Sequence, residues 1–177
     1  HGLAHDSAEF GTLRAAEATG TLACVSAHAG SDMTALAEST TAPLWFQLYL
    51  QPRFEDTLRL LRRAEAAGYR ALVVTVDAPV NGIRNEEQRA GFALPAHLRA
   101  VNLAGFKAPE IPPHDPVFGG FMAHAPRWED IARLRRETTL PILLKGIMSA
   151  RDVEPALALG VDGVIVSNHG GRVLDGQ

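Results

Sequence analysis

The chain alternates between short apolar runs and longer segments in which apolar and charged residues recur with a helical period. Most of the runs are apolar at successive positions, a pattern typical of parallel strands that are buried on both faces. The pattern predicts five strands: TLACVS (21–26), LWFQLYL (44–50), ALVVTVD (71–77), PILLKG (141–146) and GVIVSN (163–168).

Helical periodicity appears between these runs. It predicts three helices: RFEDTLRLLRRAEAAG (53–68), RWEDIARLRRETT (127–139) and SARDVEPALALG (149–160). In the first of them, Phe54, Leu58 and Leu61 share one face, arginines occupy the other, and Gly68 is suited to end the helix.

Alternating strands and helices are typical of a parallel α/β fold, which is either a doubly wound sheet or a (β/α)8 TIM barrel. A doubly wound dinucleotide-binding fold usually carries a G-x-G-x-x-G turn after its first strand, and the sequence contains no such turn. We therefore expect a TIM barrel.

One long segment, from about residue 93 to residue 125, is rich in Pro and Gly and shows neither the helical period nor the pattern of a strand. A loop of this length within a compact domain is usually functional or disordered. We predict that it forms a lid over a site in the one domain, whole or partial, to which residues 1–177 belong.

Composition narrows the possible classes of protein. A chain of 177 residues with 46% hydrophobic content can bury the core of one domain, or of most of a larger one. The net charge of -3 and the pI near 6.2 give no basic field, so we expect no nucleic-acid partner.

The single cysteine and the termini bear on location and completeness. Cys24 lies in an apolar run, so we expect a buried structural thiol in a reducing compartment. The sequence shows neither a signal-peptide pattern nor an apolar run of about 20 residues, so we expect a cytoplasmic protein, free or peripheral to a membrane. The start HGLAHDS lacks Met, and the end VLDGQ follows a dense motif, so we expect a piece of a longer polypeptide.

Polar side chains cluster at the carboxyl ends of four predicted strands. Taken singly, Asp77 is explained as a turn residue, Lys145 as a snorkelling cation and His169 as a structural histidine. In a barrel, however, these strand ends converge on the face that carries the active site. The residues in question are Gln47, Tyr49, Thr75, Asp77, Lys145, Ser167, Asn168 and His169.

Two other kinds of site are disfavoured. The remaining histidines show no paired spacing with Cys, Asp or Glu that would form a metal cage, so we expect no metal. There is also no G-x-S-x-G nucleophile elbow.

Four motifs, named below, resemble the successive signatures of the FMN-dependent α-hydroxy acid oxidases and dehydrogenases. This family includes glycolate oxidase, lactate oxidase and the flavin-dependent lactate and mandelate dehydrogenases. The resemblance covers nearly the whole chain outside the long loop, and its most specific part is SNHGGR (167–172). The other motifs are WFQLYL (45–50), ALVVTVDAPVNGIRNEEQR (71–89) and LPILLKGI (140–147).

The resemblance implies roles for individual residues. His169 is similar to the family's catalytic base, which takes a proton from the substrate while two electrons pass to the flavin. Asp77 would stabilise the protonated imidazole. Tyr49 would donate a hydrogen bond to the substrate, and the guanidinium groups of Arg84 and Arg172 would bind its carboxylate.

FMN is the cofactor that the resemblance implies. Lys145 would lie near the N1 and O2 edge of the flavin, where a cation stabilises the negative charge of the reduced ring. Ser26, Gln47, Thr75 and Ser167 match positions that contact the isoalloxazine ring.

The chain also departs from the family pattern. SAHAGSD (26–32) replaces a string rich in Ser and Thr, and GIRNEEQR (82–89) differs from the usual charged run. The family's first strand, with its substrate tyrosine, and its last two strands, with the phosphate cradle, are not in the sequence. We therefore expect roughly strands 2 to 6 of eight, with the FMN phosphate site outside the chain.

The expected reaction is the oxidation of a small L-2-hydroxy acid to the 2-oxo acid, with electrons passing from FMN to oxygen or another acceptor. The alternatives are another FMN-binding barrel enzyme, such as an isomerase, and a non-catalytic fragment. The resemblance further implies a homo-oligomer, as many soluble members are tetramers. The choice of 2-hydroxy acid, oxidase or dehydrogenase, and hydride or proton transfer from carbon are open at this point.

Overall fold

A computed structural model describes residues 1–80, 82, 84–108 and 111–173. Parts of the lid-like segment (109–110) and of the quoted motifs (81, 83 and 174–177) lie outside the described residues.

Every predicted strand is present and somewhat shorter than its apolar run. Ser26, Gln47, Thr75 and Lys145 lie within the strands, whereas Tyr49, Asp77 and His169 follow them. The strands are β1 (Ala23–Ser26), β2 (Leu44–Leu48), β3 (Ala71–Thr75), β4 (Ile142–Lys145) and β5 (Gly163–Ile165). The helices are α1 (Ala8–Thr19), α2 (Met33–Glu38), α3 (Phe54–Ala66), α4 (Asn85–Arg89), α5 (Trp128–Glu137) and α6 (Ala150–Ala158).

The order of the strands decides between the two α/β folds. All neighbouring strands are parallel, and their order in the sheet is the order in the chain, β1-β2-β3-β4-β5. A doubly wound sheet reverses its strand order at the point where ligands bind, whereas a barrel adds each strand beside the previous one. The five described strands are therefore part of a barrel wall, as predicted.

The two faces of this sheet differ in burial. One face packs against the helices, and its large side chains are fully buried, including Phe46, Leu72 and Leu144. On the opposite, inner face, the residues of β1, β2 and β4 stay partly exposed, and only β3 is buried at every position. The prediction of burial on both faces thus holds for β3 and is wrong for the others, because the described strands leave the inner face uncovered.

Cys24 is a second correction. It lies on the inner face of β1 and is exposed, so it is not the buried core residue that the sequence predicted. Nearby protein atoms still desolvate the sulfur, which raises the pKa of the thiol to about 11. The thiol is therefore protonated and unreactive at neutral pH.

The helix predictions are correct in place, and the predicted face is shifted in α3 alone among those compared, since Ile131 and Leu134 of α5 are buried. In α3 the buried apolar residues are Leu60, Leu61 and Ala64, so the stripe is rotated from the predicted one. Phe54 instead lies beneath the guanidinium of Arg133, 3.7 Å from the ring centroid. Phe54 therefore makes a cation–π contact with Arg133 and is not one of the buried core residues.

The long segment begins as an anchored turn. Asn102 is 1% exposed, and its side-chain oxygen accepts a hydrogen bond from Met33 N at 2.9 Å while its amide donates to Ser31 O at 3.1 Å. Farther along, Phe118 is 77% exposed, and a turn over Met122–His124 brings the segment back to the carboxyl end of the sheet. Its role as a lid stays a prediction.

Candidate active site

The centre of the candidate site is a histidine–aspartate pair that joins two strands. His169 follows β5 and Asp77 follows β3, and His169 Nδ1 lies 2.7 Å from Asp77 Oδ1. An ionised carboxylate only accepts hydrogen bonds, so the proton of the neutral imidazole lies on Nδ1. The lone pair of Nε2 is then free to accept a proton, which is the arrangement that a general base requires.

A strained turn aims this imidazole. His169 has a φ of 61°, a left-handed conformation that costs about 1–2 kcal/mol for a residue with a side chain. Two side-chain bonds hold the turn: Ser167 Oγ accepts from His169 N at 3.0 Å, and Asn168 Oδ1 accepts from Gly171 N at 3.2 Å. The turn continues through Gly170 and Gly171, both at positive φ, which explains the two glycines of the motif.

Asp77 is confined by the strand next to its own. Gly146 follows β4 with a φ of 112°, and a Cβ built on it would lie 2.5 Å from Asp77 Cβ and 2.6 Å from Asp77 Cγ. The glycine of the KG motif therefore makes the room that the aspartate occupies. Asp77 Oδ2 is buried, accepts no hydrogen bond within the described part of the chain, and lies 3.9 Å from Lys145 Nζ. The lysine thus supplies the positive charge that such a carboxylate oxygen needs.

The pair faces a cavity of about 330 Å³, a size that suits a small molecule. Four residues predicted for the site line it: Tyr49, Thr75, Arg84 and His169. Much of the remaining wall is apolar, formed by Leu50, Pro52, Val76, Ala78, Pro79 and Val80. The cavity therefore combines a base, a phenol and a guanidinium with an apolar wall.

Two further histidines at this cavity were not predicted as site residues. His28 lies beside Tyr49, with 5.3 Å between the ring centroids, and His124 comes from the end of the long segment. Burial lowers the pKa of His28, which keeps its ring neutral. His28 follows the first strand closely, as the other site residues follow theirs, so its position was a usable signal; His124 had none.

Tyr49 is suited to donate a hydrogen bond. Burial, and then the negative charge of Asp77, raise the pKa of its phenol. The hydroxyl consequently keeps its proton at neutral pH.

A hydrogen-bonded row of side chains crosses the inner face of three strands. Ser26 Oγ donates to Gln47 Oε1 at 2.8 Å, and Gln47 Nε2 donates to Thr75 Oγ1 at 2.9 Å. One N–H of Gln47 and the O–H of Thr75 have no acceptor among the described residues. Lys145 pairs with Thr75 in the register of β3 and β4, so the lysine side chain leaves the sheet beside the end of this row.

This row fits the edge of a flavin ring. An isoalloxazine presents several ring nitrogens and carbonyl oxygens along one side, and the row offers unused donors and a cation on a half-exposed face. Ser167 takes a different position, because its hydroxyl accepts the bond from His169 N. Its contact with a flavin stays a prediction.

The two arginines predicted to bind a carboxylate meet at one glutamate. Arg84 Nε lies 3.7 Å from Glu87 Oε2, and Arg172 Nη2 lies 3.7 Å from Glu87 Oε1. Arg84 lines the cavity, whereas the side chain of Arg172 lies outside its wall and is 56% exposed. Arg84 therefore marks the side of the cavity, here called its mouth, at which Arg172 lies outside the wall. Glu87, which the sequence did not single out, joins the two arginines.

Comparisons with known proteins identify relatives of this chain. The model of the FMN-dependent dehydrogenase family matches residues 1–177. The chain is 46% identical over 180 residues to an L-lactate oxidase of Alicycliphilus denitrificans, an alignment that covers 98% of the chain and 49% of that protein. It is 40% identical over 183 residues to 2-hydroxyacid oxidase 1 of Homo sapiens, covering 98% and 50%. The chain thus spans about half the length of the curated relatives it matches.

Solved structures show the same fold. A variant of mandelate oxidase with (S)-mandelic acid superposes with a TM-score of 0.83 at 34% identity, over 98% of this chain and 46% of that one. The same variant with a C4a-OH-FMN adduct gives a TM-score of 0.82 at 34% identity, over 98% and 47%. The described part of the chain contains no helix that is long and apolar enough to cross a membrane.

Proposed function

The chain belongs to the FMN-dependent dehydrogenase family, and on that premise we propose that the protein oxidises a small L-2-hydroxy acid to the 2-oxo acid, with FMN as the electron acceptor. The observation that carries the proposal is the Asp77–His169 pair, at 2.7 Å, on a cavity that Tyr49 and Arg84 also line. The named relatives support the same chemistry, since they are lactate, 2-hydroxyacid and mandelate oxidases. The isomerase alternative has no such support.

His169 is the base in this proposal. When bound, FMN supplies an acceptor for the two electrons that leave the substrate. His169 Nε2 takes a proton from the substrate, and the carboxylate of Asp77, bonded to Nδ1, stabilises the imidazolium that forms. The apolar part of the cavity wall limits access of water to this proton transfer.

Three side chains orient the substrate. The phenol of Tyr49 donates to a substrate oxygen, because it holds its proton at neutral pH. Arg84 and Arg172, which meet at Glu87, bind the carboxylate at the cavity mouth. Binding at three points fixes the carbon that carries the hydroxyl relative to His169.

The cofactor ring is assigned to the inner face of the sheet. Ser26, Gln47 and Thr75 would hold its polar edge through the hydrogen-bonded row, and Lys145 would offset negative charge that develops on it. Ser167 would lie at the border between ring and base.

The proposal also covers the final electron acceptor, the assembly, the location and the long segment. Oxygen as the final acceptor is supported by relatives that are named oxidases. The homo-oligomer rests on the family resemblance, and the cytoplasmic location rests on the single cysteine, which favours a reducing compartment. Closure of the segment at 93–125 over the cavity is supported by His124, which already lines it.

Replacing His169 by Gln tests the assignment of the base. In the full-length protein with FMN bound, we expect His169→Gln to keep the flavin and to lower the rate of anaerobic flavin reduction by about 10²- to 10⁴-fold. His114→Gln, at an exposed position of the long segment, is the matched control and should leave the rate unchanged. Fast reduction in His169→Gln would remove His169 from the role of base.

A further inference from the structure

The contact that the proposed mechanism does not use is the bridge formed by Glu87. This residue lies on α4, one turn after Arg84, and its two carboxylate oxygens are divided between two guanidinium groups. Arg84 follows β3 and Arg172 follows β5, so the bridge joins loops from two strands that are not neighbours. The carboxylate of Glu87 thus contacts both arginines that are proposed to bind the substrate.

The backbones of these loops already force the arginines together. A Cβ built on Gly82 would lie 2.0 Å from the carbonyl oxygen of Arg172 and 3.2 Å from Val173 Cα, so the two loops are in direct backbone contact. Two guanidinium groups carried by such loops repel each other unless an anion lies between them. Glu87 is in the position to offset that repulsion.

The bridge leaves the hydrogen-bonding capacity of the arginines free. Both distances are 3.7 Å, which is within the range of an ion pair and longer than a hydrogen bond. Glu87 therefore contributes charge and direction, while the N–H groups of both forks stay available to an incoming planar carboxylate. All three side chains are partly exposed, between 33% and 56%, so each pair is individually weak.

We propose that Glu87 is a positioning residue, which holds Arg84 and Arg172 on the cavity mouth so that both bind the carboxylate of the substrate. The inference rests on the proposed function, because it assigns the substrate carboxylate to these arginines. It assigns no contact between Glu87 and the substrate. Loss of its charge therefore weakens the binding of a carboxylate and leaves the proton transfer at His169 intact.

The test compares Glu87→Gln with Glu86→Gln in the full-length protein with FMN bound. Glu86 is the adjacent residue of the same helix and forms no ion pair with a described residue, so its exchange changes the charge equally. Anaerobic flavin reduction is followed against the concentration of whichever of L-lactate, glycolate or (S)-mandelate reacts fastest. We expect Glu87→Gln to raise the Kd of the acid about three- to tenfold and to change the limiting rate less than about twofold.

Two further measurements separate positioning from general damage. The amide of the same 2-hydroxy acid lacks the carboxylate, so its affinity, measured by competition, should be the same in Glu87→Gln and the unaltered protein. Glu87→Asp keeps the charge on a shorter side chain and should weaken the acid by less than Glu87→Gln does. Glu87→Ala also removes the charge and carries the test if Glu87→Gln fails to fold: an unchanged Kd of the acid in Glu87→Ala then contradicts the proposal.

The outcomes distinguish this inference from the function on which it rests. An unaltered protein that no 2-hydroxy acid reduces contradicts the proposed function itself. If the unaltered protein is reduced but Glu87→Gln binds the acid equally or more tightly, or Glu86→Gln loses as much affinity, only the role of Glu87 is overturned.

Discussion

Single carboxylates hold the site together from two directions. Asp77 holds the ring of His169 from behind the cavity wall, whereas Glu9 acts from the outer layer of the fold. Glu9 is 6% exposed; its Oε1 accepts from Gly30 N at 3.1 Å and its Oε2 accepts from Ser31 Oγ at 2.7 Å. These bonds tie α1 to the loop that follows β1 and carries His28. The residue-scale contribution of Glu9 is therefore to fix one wall of the site.

The charge of Glu9 should make this wall sensitive to acid. Burial raises its pKa, but the hydrogen bonds from Ser31 and from backbone N–H groups outweigh that effect, so the pKa lies below its ordinary value of 4.5. A carboxyl group whose pKa is lower in the folded state stabilises the fold above its unfolded pKa, and the contribution is lost as the pH falls through the folded pKa. Glu9→Gln should therefore lower the free energy of unfolding by about 1–3 kcal/mol at pH 7, with a smaller difference below about pH 4.5.

Urea unfolding of the full-length protein at several pH values measures this difference. Glu55→Gln, at an exposed position of α3, is the control and should change stability by less than about 0.5 kcal/mol. A loss in Glu9→Gln that is the same at pH 4 and pH 7 would show that the charge of Glu9 does not stabilise the fold.

At the scale of elements, the candidate site residues lie at the carboxyl ends of the strands, and Gly146 leaves the room that one of them, Asp77, occupies. All five strands were predicted because runs such as 71–75 are apolar without interruption, while α1, α2 and α4 were missed. The last two are only 6 and 5 residues long, too short for a helical period to show. Gly146 was read only as part of a motif, since its contact with Asp77 depends on how β3 and β4 pair.

Replacing Gly146 by Ala should lower activity by displacing Asp77, although Gly146 does not line the cavity. The added methyl group would overlap Asp77, which must then move away from His169. We expect the rate of flavin reduction to fall at least about tenfold, because the imidazole loses its supporting carboxylate. Gly68→Ala is the matched control: Gly68 also has a positive φ, of 82°, but an added Cβ would meet no atom within 4 Å.

Both variants carry the cost of a positive φ, about 1–2 kcal/mol. Gly146→Ala adds the overlap with Asp77, so thermal unfolding should shift further for it than for Gly68→Ala, and both rates are measured well below the unfolding temperatures. Only Gly146→Ala should lose activity. Equal rates of flavin reduction in the two variants would mean that Asp77 does not need the position it occupies.

At the scale of the whole molecule, the order of strands gathers residues that are more than 140 positions apart, such as Ser26 and His169, on one side of a sheet. That convergence was predictable, because parallel strands connected in sequence place all their carboxyl ends at one edge. The burial of Cys24 was predicted wrongly, because an apolar run does not reveal which face of a strand is covered. The bridge at Glu87 depends on distances between loops, which residue patterns do not encode, whereas His28 could have been found from its place just after β1.

The most direct measurement of the central claim is anaerobic mixing of the full-length, FMN-loaded protein with L-lactate, glycolate and (S)-mandelate, while the flavin absorbance is recorded. The account predicts that at least one of these acids bleaches the oxidised flavin completely and yields one equivalent of the 2-oxo acid. A flavin that no 2-hydroxy acid reduces, or a protein that binds no FMN, would contradict it.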